Sequence, residues 1–129
     1  MKAGAKFLVS PGATTALRDA ARANAAPWLP GAATASEVMT ALDAGITTLK
    51  FFPAEAIGGA AALGSYAAPL AQAVFCPTGG ITLASAPDYL ALPNVLCVGG
   101  SWLTPKVALA AQDWELVEEL AREAVGLRG

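Results

Sequence analysis

Short β-rich segments return along this chain at a nearly constant interval, and that interval limits the folds open to it. Residues 6–10 (KFLVS), 27–30 (PWLP), 47–52 (TTLKFF), 73–77 (AVFCP) and 95–98 (VLCV) have centres roughly 21 to 26 residues apart, the length of one strand plus a helical crossover. Alanine-rich stretches fill the gaps at 15–24, 36–44, 60–72, 85–92 and 114–125. Strands that alternate with helices pair in parallel, so the pattern predicts an α/β fold with a parallel sheet. Local signals agree with it. Thr34 stands three residues before Glu37 at capping-box spacing, Asp113 precedes the last helix, Thr82 is placed to cap the helix after it, and Gly45 follows the second helix as a terminating glycine does. No linker divides residues 1–129, which are expected to form a single domain.

Each strand end runs into small or rigid residues: Ser10-Pro11-Gly12, Pro30-Gly31, Phe52-Pro53-Ala54, Thr78-Gly79-Gly80 and Gly99-Gly100-Ser101. The carboxyl ends of parallel strands carry the ligand site in such folds. Tight turns also favour glycine and proline, so a single loop of this kind is weak evidence. Two Gly-Gly loops in adjacent units, the second followed by a serine hydroxyl, suit an anion such as phosphate.

Lys50 interrupts the apolar third strand. In a pleated strand Leu49 and Phe51 share one face, packing under helices, while Thr48, Lys50 and Phe52 share the other. A poorly solvated lysine beside Phe52 is expected to have a depressed pKa, and a neutral amine adds to carbonyls to form a Schiff base. A lysine that snorkels to water, or one paired with Glu55, would account for the same residue.

Composition excludes other chemistries. The chain has no histidine, which removes Ser–His and Cys–His nucleophile pairs and makes an ordinary catalytic zinc site improbable. A net charge of −2 and the lack of a basic cluster argue against nucleic acid as a partner. No apolar run approaches the ~20 residues that span a bilayer, and two cysteines without a signal peptide suggest a cytoplasmic protein with free thiols. Cys76 and Cys97 read as core thiols facing the same way, Trp102 and Trp114 as packing residues, and Tyr66 and Tyr89 as helix residues with no functional signal. Glu55 is a weak acid/base candidate, more simply a loop or helix-start carboxylate.

Taken in order, SPG (10–12), LPGAAT (29–34), KFFPAE (50–55), CPTGGI (76–81), GGSWL (99–103) and LAREAV (120–125) resemble the 2-keto-3-deoxy-6-phosphogluconate aldolases. That resemblance implies a (β/α)8 TIM-barrel lyase that releases pyruvate and glyceraldehyde 3-phosphate, is typically a homotrimer, and uses neither metal nor cofactor. It assigns Lys50 as the Schiff-base lysine, Gly79, Gly80 and Ser101 to the substrate phosphate, and Pro11 and Phe52 to the pyruvate pocket, with Thr78 and Gly100 also among the residues that bind the small phosphorylated keto acid. The likeness begins at the family's fourth barrel strand, leaving the first three strands without a counterpart. With them go a glutamate acid/base, an arginine and a threonine. The expected architecture is therefore a partial barrel of about five strands, with an open flavodoxin-like five-stranded sheet as the alternative. Its expected function is aldolase chemistry, or else a catalytically incomplete fragment that keeps phosphate loops and a reactive lysine.

Overall fold

Proline at position 30 divides what is otherwise one extended run. In the computed structural model, which describes residues 4–127, β2 (Trp28–Leu29) pairs in parallel with β1 (Leu8–Val9), and β3 (Gly31–Ala32) pairs in parallel with β4 (Thr48–Phe51). β4 in turn pairs in parallel with β5 (Val74–Pro77). Proline has no N–H to donate, but its carbonyl still accepts from Lys50 N at 2.8 Å. The run from 28 to 32 thus serves one neighbour with its first half and the other with its second. Spatial order follows chain order across the sheet.

The helices are α1 (Thr15–Ala23), α2 (Ala35–Asp43), α3 (Gly59–Ser65), α4 (Ala86–Leu90), α5 (Lys106–Ala111) and α6 (Trp114–Gly126), with 3-10 turns at Glu55–Ile57 and Ser101–Leu103. Among the described residues, no helix is long and apolar enough to cross a membrane. α3 is shorter than the alanine-rich stretch predicts. It stops at Ser65, and Pro69 disfavours helical geometry in the residue before it; the chain continues in turns held by Leu70 N donating to Tyr66 O at 3.0 Å.

The predicted fifth strand is present only in part. Val95 bridges Phe75 and Gly99 bridges Thr78, an offset that gains one residue between the two bridges. The intervening segment therefore bulges and the ladder is interrupted. Phe75 N still donates to Asn94 O, Leu96 N to Phe75 O and Gly99 N to Pro77 O, so the segment lies along β5 without forming a continuous strand.

Face alternation in β4 follows the expected pleat. Leu49 and Phe51 are fully buried with Val38, Leu63, Phe75 and Tyr89. The Phe51 ring meets Tyr66 and Phe75 edge-on, at centroid distances of 6.1 and 6.2 Å, an arrangement that favours ring edges against ring faces. Thr48 is exposed and Lys50 half-buried on the opposite face.

Helix ends behave as their residues require. Thr34 Oγ1 accepts from Glu37 N, and Glu37 Oε2 accepts from the N–H groups of Ala33 and Thr34. Asp113 caps α6 through Leu116 N, and Gly45 adopts φ +76° beyond α2. Thr82 Oγ1 accepts from Ser85 N, Ser85 Oγ accepts from Thr82 N, and Ala86 N donates to Thr82 O. Its reciprocal cap sits on the turn just ahead of α4. Bonds from Ala33 and Thr34 hold the Glu37 carboxyl below its ordinary pKa, against partial desolvation. A depressed carboxyl stabilises the fold fully above its unfolded value of 4.5 and loses that contribution as pH falls through the folded value. Glu37→Gln should accordingly flatten the loss of thermal midpoint in that acid window, and midpoints measured between pH 3 and 6 for both chains would check it.

Candidate active site

The lysine strand lies in the middle of a row set by strand register. Gly31 of β3 and Cys76 of β5 flank Lys50 of β4. On the far side of β3, the Pro11 carbonyl occupies the space a side chain on Gly31 would need. Glycine at 31 is therefore required by close backbone approach, and this contact brings the loop after β1 beside the lysine strand. Pro11, Gly31, Lys50 and Cys76 thus sit on four successive segments.

Lys50 Nζ stands 4.3 Å from the centroid of the Phe52 ring, a cation–π distance. The structure places Glu55 elsewhere. Glu55 opens the 3-10 turn after β4, and its Oε1 accepts from the Tyr89 hydroxyl at 2.8 Å. Among the described residues, no carboxylate comes within ion-pair range of Lys50. Tyr89 itself is fully buried, and burial, reinforced by its bond to Glu55, raises its phenol pKa well above the ordinary value. Sequence reasoning missed this pair. Tyr89 and Glu55 are 34 positions apart, and nothing in either local pattern joins them.

Glu55 also supports the glycine loop. Gly79 and Gly80 adopt φ +101° and +81°, a region that side-chain-bearing residues seldom occupy. A Cβ on Gly80 would lie 2.8 Å from Glu55 Cβ, and one on Gly79 would lie 3.2 Å from the Phe52 ring. Ala54 N donates to Thr78 O at 2.8 Å, Glu55 N to Gly79 O at 3.0 Å, and Thr78 N to Phe51 O at 3.0 Å. The loop's carbonyls are thereby turned to the segment after β4. Among the described residues, the N–H groups of Gly79, Gly80, Gly100 and Ser101 have no protein partner. Thr78 Oγ1 is buried without a partner as well, and strand alternation puts Thr78 on the face of Cys76, two residues beyond the Lys50–Cys76 pair. Loops with orphaned backbone donors of this kind suit an anionic group.

Two sequence expectations need correction. Cys97 is exposed rather than in the core, because the segment after Asn94 bulges between its two bridges to β5 and Cys97 lines an open cavity with Trp102, Leu103 and Val125. Trp114 is 60% exposed, since it starts α6 on the outward side. Trp102 packs, half-buried, against the hydrophobic core, and its ring fills the space above Gly100.

Comparison with known proteins gives a consistent result. The family model "Aldolase: KDPG and KHG aldolase" matches residues 1–120. The KHG/KDPG aldolase of Escherichia coli (strain K12) is 53% identical over 124 residues, 96% of this chain and 58% of the relative. A KDPG aldolase from Legionella pneumophila, solved with pyruvate captured as a covalent carbinolamine intermediate, superposes with a TM-score of 0.92 at 44% identity, over 95% of this chain and 60% of that one. The 2-keto-3-deoxy-6-phosphogluconate aldolase of Zymomonas mobilis ZM4, solved with 3-phosphoglycerate, gives a TM-score of 0.86 at 50% identity over 95% and 57%. This chain therefore spans about three-fifths of the length of these relatives, and it belongs to the KDPG and KHG aldolase family.

Proposed function

We propose that the chain performs class I aldolase chemistry at Lys50, on a phosphorylated 2-keto acid for which 2-keto-3-deoxy-6-phosphogluconate is the first candidate. One observation carries the reading. A primary amine stands at the centre of the strand-end face, beside an aromatic ring and a loop of orphaned donors. A covalent carbinolamine of pyruvate in the Legionella pneumophila relative and 3-phosphoglycerate in the Zymomonas mobilis relative match the two ends of such a substrate.

In the proposed cycle the Lys50 amine attacks the keto carbon, giving a carbinolamine that loses water to an iminium. The iminium accepts the electron pair of the adjacent C–C bond as the neighbouring hydroxyl loses its proton. Glyceraldehyde 3-phosphate leaves, the resulting enamine takes a proton, and hydrolysis frees pyruvate and the amine. The nitrogen is itself the electron sink, so the cycle calls on no metal or organic cofactor. Pro11, Phe52 and Thr78 border the pyruvate end, while Gly79, Gly80, Gly100 and Ser101 take the phosphate.

Chain-order pairing from β1 to β5 supports an arc of a (β/α)8 barrel in one domain. A flavodoxin-like sheet would instead set the first strand between the second and third. A homotrimer in the cytoplasm is the assembly and location that family membership favours.

A second reading has its own support. With no carboxylate in ion-pair range of Lys50 among the described residues, proton transfers fall to water, and the absence of a positioned acid–base costs on the order of 10²- to 10⁴-fold. The chain would then form the adduct and turn it over slowly. Coupled measurement of pyruvate released from 2-keto-3-deoxy-6-phosphogluconate, with 4-hydroxy-2-oxoglutarate in parallel, tests both readings. We expect slow, protein-dependent release that Lys50→Ala eliminates. An adduct without release would leave the second reading alone, and the lack of both would defeat each.

A further inference from the structure

Behind Lys50 the row continues into sulfur. Cys76 is the β5 partner of Lys50, and Cys97 lies on the segment that borders β5 between the Phe75–Val95 and Thr78–Gly99 bridges. Adjacent strands run about 4.7–4.9 Å apart, inside the ~4.4–6.8 Å window between Cα atoms that a disulfide spans. Leu96 N donates to Phe75 O and Gly99 N to Pro77 O, which holds Cys97 alongside Cys76, and the nearby Cys97 is among the causes that raise the Cys76 thiol. Both are free thiols, with Cys97 exposed and Cys76 half-buried. Nothing in the aldolase cycle uses either one.

We propose that Cys76 and Cys97 form an oxidisable thiol pair, closed to an intramolecular disulfide by a hydroperoxide at the edge of the lysine site. Exposure makes Cys97 the sulfur that meets the oxidant. Its thiolate attacks the peroxide, so that Cys97 becomes a sulfenic acid and the peroxide is reduced to its alcohol or to water. Cys76 sulfur then attacks the Cys97 sulfur, the S–S bond forms, and hydroxide leaves to take up the Cys76 proton as water. Two thiols lose two electrons and two protons in all, and the peroxide accepts them.

The order of the two steps follows from burial. Desolvation, followed by the contact with Cys97, pushes the Cys76 thiol up to about 12, while the Lys50 charge pulls the other way. Cys76 therefore does not react first with solvent oxidants; it resolves an oxidised neighbour already in contact. The resulting bond would tie the loosely paired 95–99 segment to β5, next to the amine.

The experiment treats the folded full chain with a small excess of hydrogen peroxide, quenches, unfolds it, blocks remaining thiols with N-ethylmaleimide and reads intact mass and peptide maps. The proposal expects loss of two hydrogens, no maleimide added, and a Cys76–Cys97 linked peptide. A dithiol reductant should restore two maleimide additions. Cys76→Ser should instead leave Cys97 as a sulfenic acid captured by a dimedone probe, provided that circular dichroism matches the parent chain. Two free thiols after treatment, over-oxidation of Cys97 with Cys76 still free, or only intermolecular dimers would each overturn it. Pyruvate capture by Lys50 does not enter the readout, so failure here leaves the aldolase reading untouched.

Discussion

Lys50→Ala should abolish covalent capture of pyruvate, with borohydride leaving the variant at its unmodified mass. Structure predicts little accompanying loss of stability. Lys50 is half-buried on the open face of β4, has no ion pair among the described residues, and makes one ring contact, with Phe52. Such a contact is worth about 0.5–1 kcal/mol at an accessible site. For a chain of this size that corresponds to a thermal midpoint shift of roughly 5 °C or less. Lys50→Arg separates charge from nucleophilicity, because arginine keeps the cation and the ring contact but stays protonated. It too should form no adduct. Capture that persisted in either variant would move the Schiff base to Lys2, Lys6 or Lys106, the other lysines of the chain.

The neighbouring residue should give the opposite outcome. Phe51→Ala removes a fully buried ring from a cluster with Tyr66 and Phe75 and leaves a cavity under α3. Deletions of this kind cost about 3–5 kcal/mol, a large share of the ~5–15 kcal/mol that holds a typical domain together. We expect a chain close to global unfolding at 25 °C. Phe52→Ala provides the control, since Phe52 is half-buried on the face of Lys50. It should lose less than about half as much. Urea midpoints for the two variants measure this difference directly, and equal losses would refute the face alternation that brings Lys50 to the site.

How much of this was legible in the sequence depended on range. Strand–helix alternation, the caps at Thr34 and Asp113, and the faces of Leu49, Lys50 and Phe51 follow from periodicities of two and 3.6 residues, which any short window contains. Glycines at 79 and 80 also announced their backbone, because a left-handed conformation there excludes most other residues. Features that depend on tertiary contact were hidden. Pro30 looked like a strand end, although it joins two half-strands with different partners. The one-residue bulge before Gly99 had no local mark, so Cys97 was assigned to the core. Tyr89 looked like an ordinary helix residue until packing laid its hydroxyl against Glu55.

The proposed phosphate loops have the same mixed character. The Gly-Gly pairs are visible in the sequence, but the direction of their N–H groups is not. That direction comes from Ala54 and Glu55, whose amides draw the carbonyls of Thr78 and Gly79 toward the segment after β4. The main chain of Ala54 and Glu55 therefore holds the loop in place.

Incubating the folded chain with pyruvate, reducing it with borohydride and mapping the modified peptide tests the central claim most directly. The account predicts a single reduced pyruvyl adduct on Lys50, with the other lysines unmodified and with capture suppressed by a competing phosphorylated keto acid. A folded chain that forms no adduct, or one modified equally at its other lysines, would contradict it.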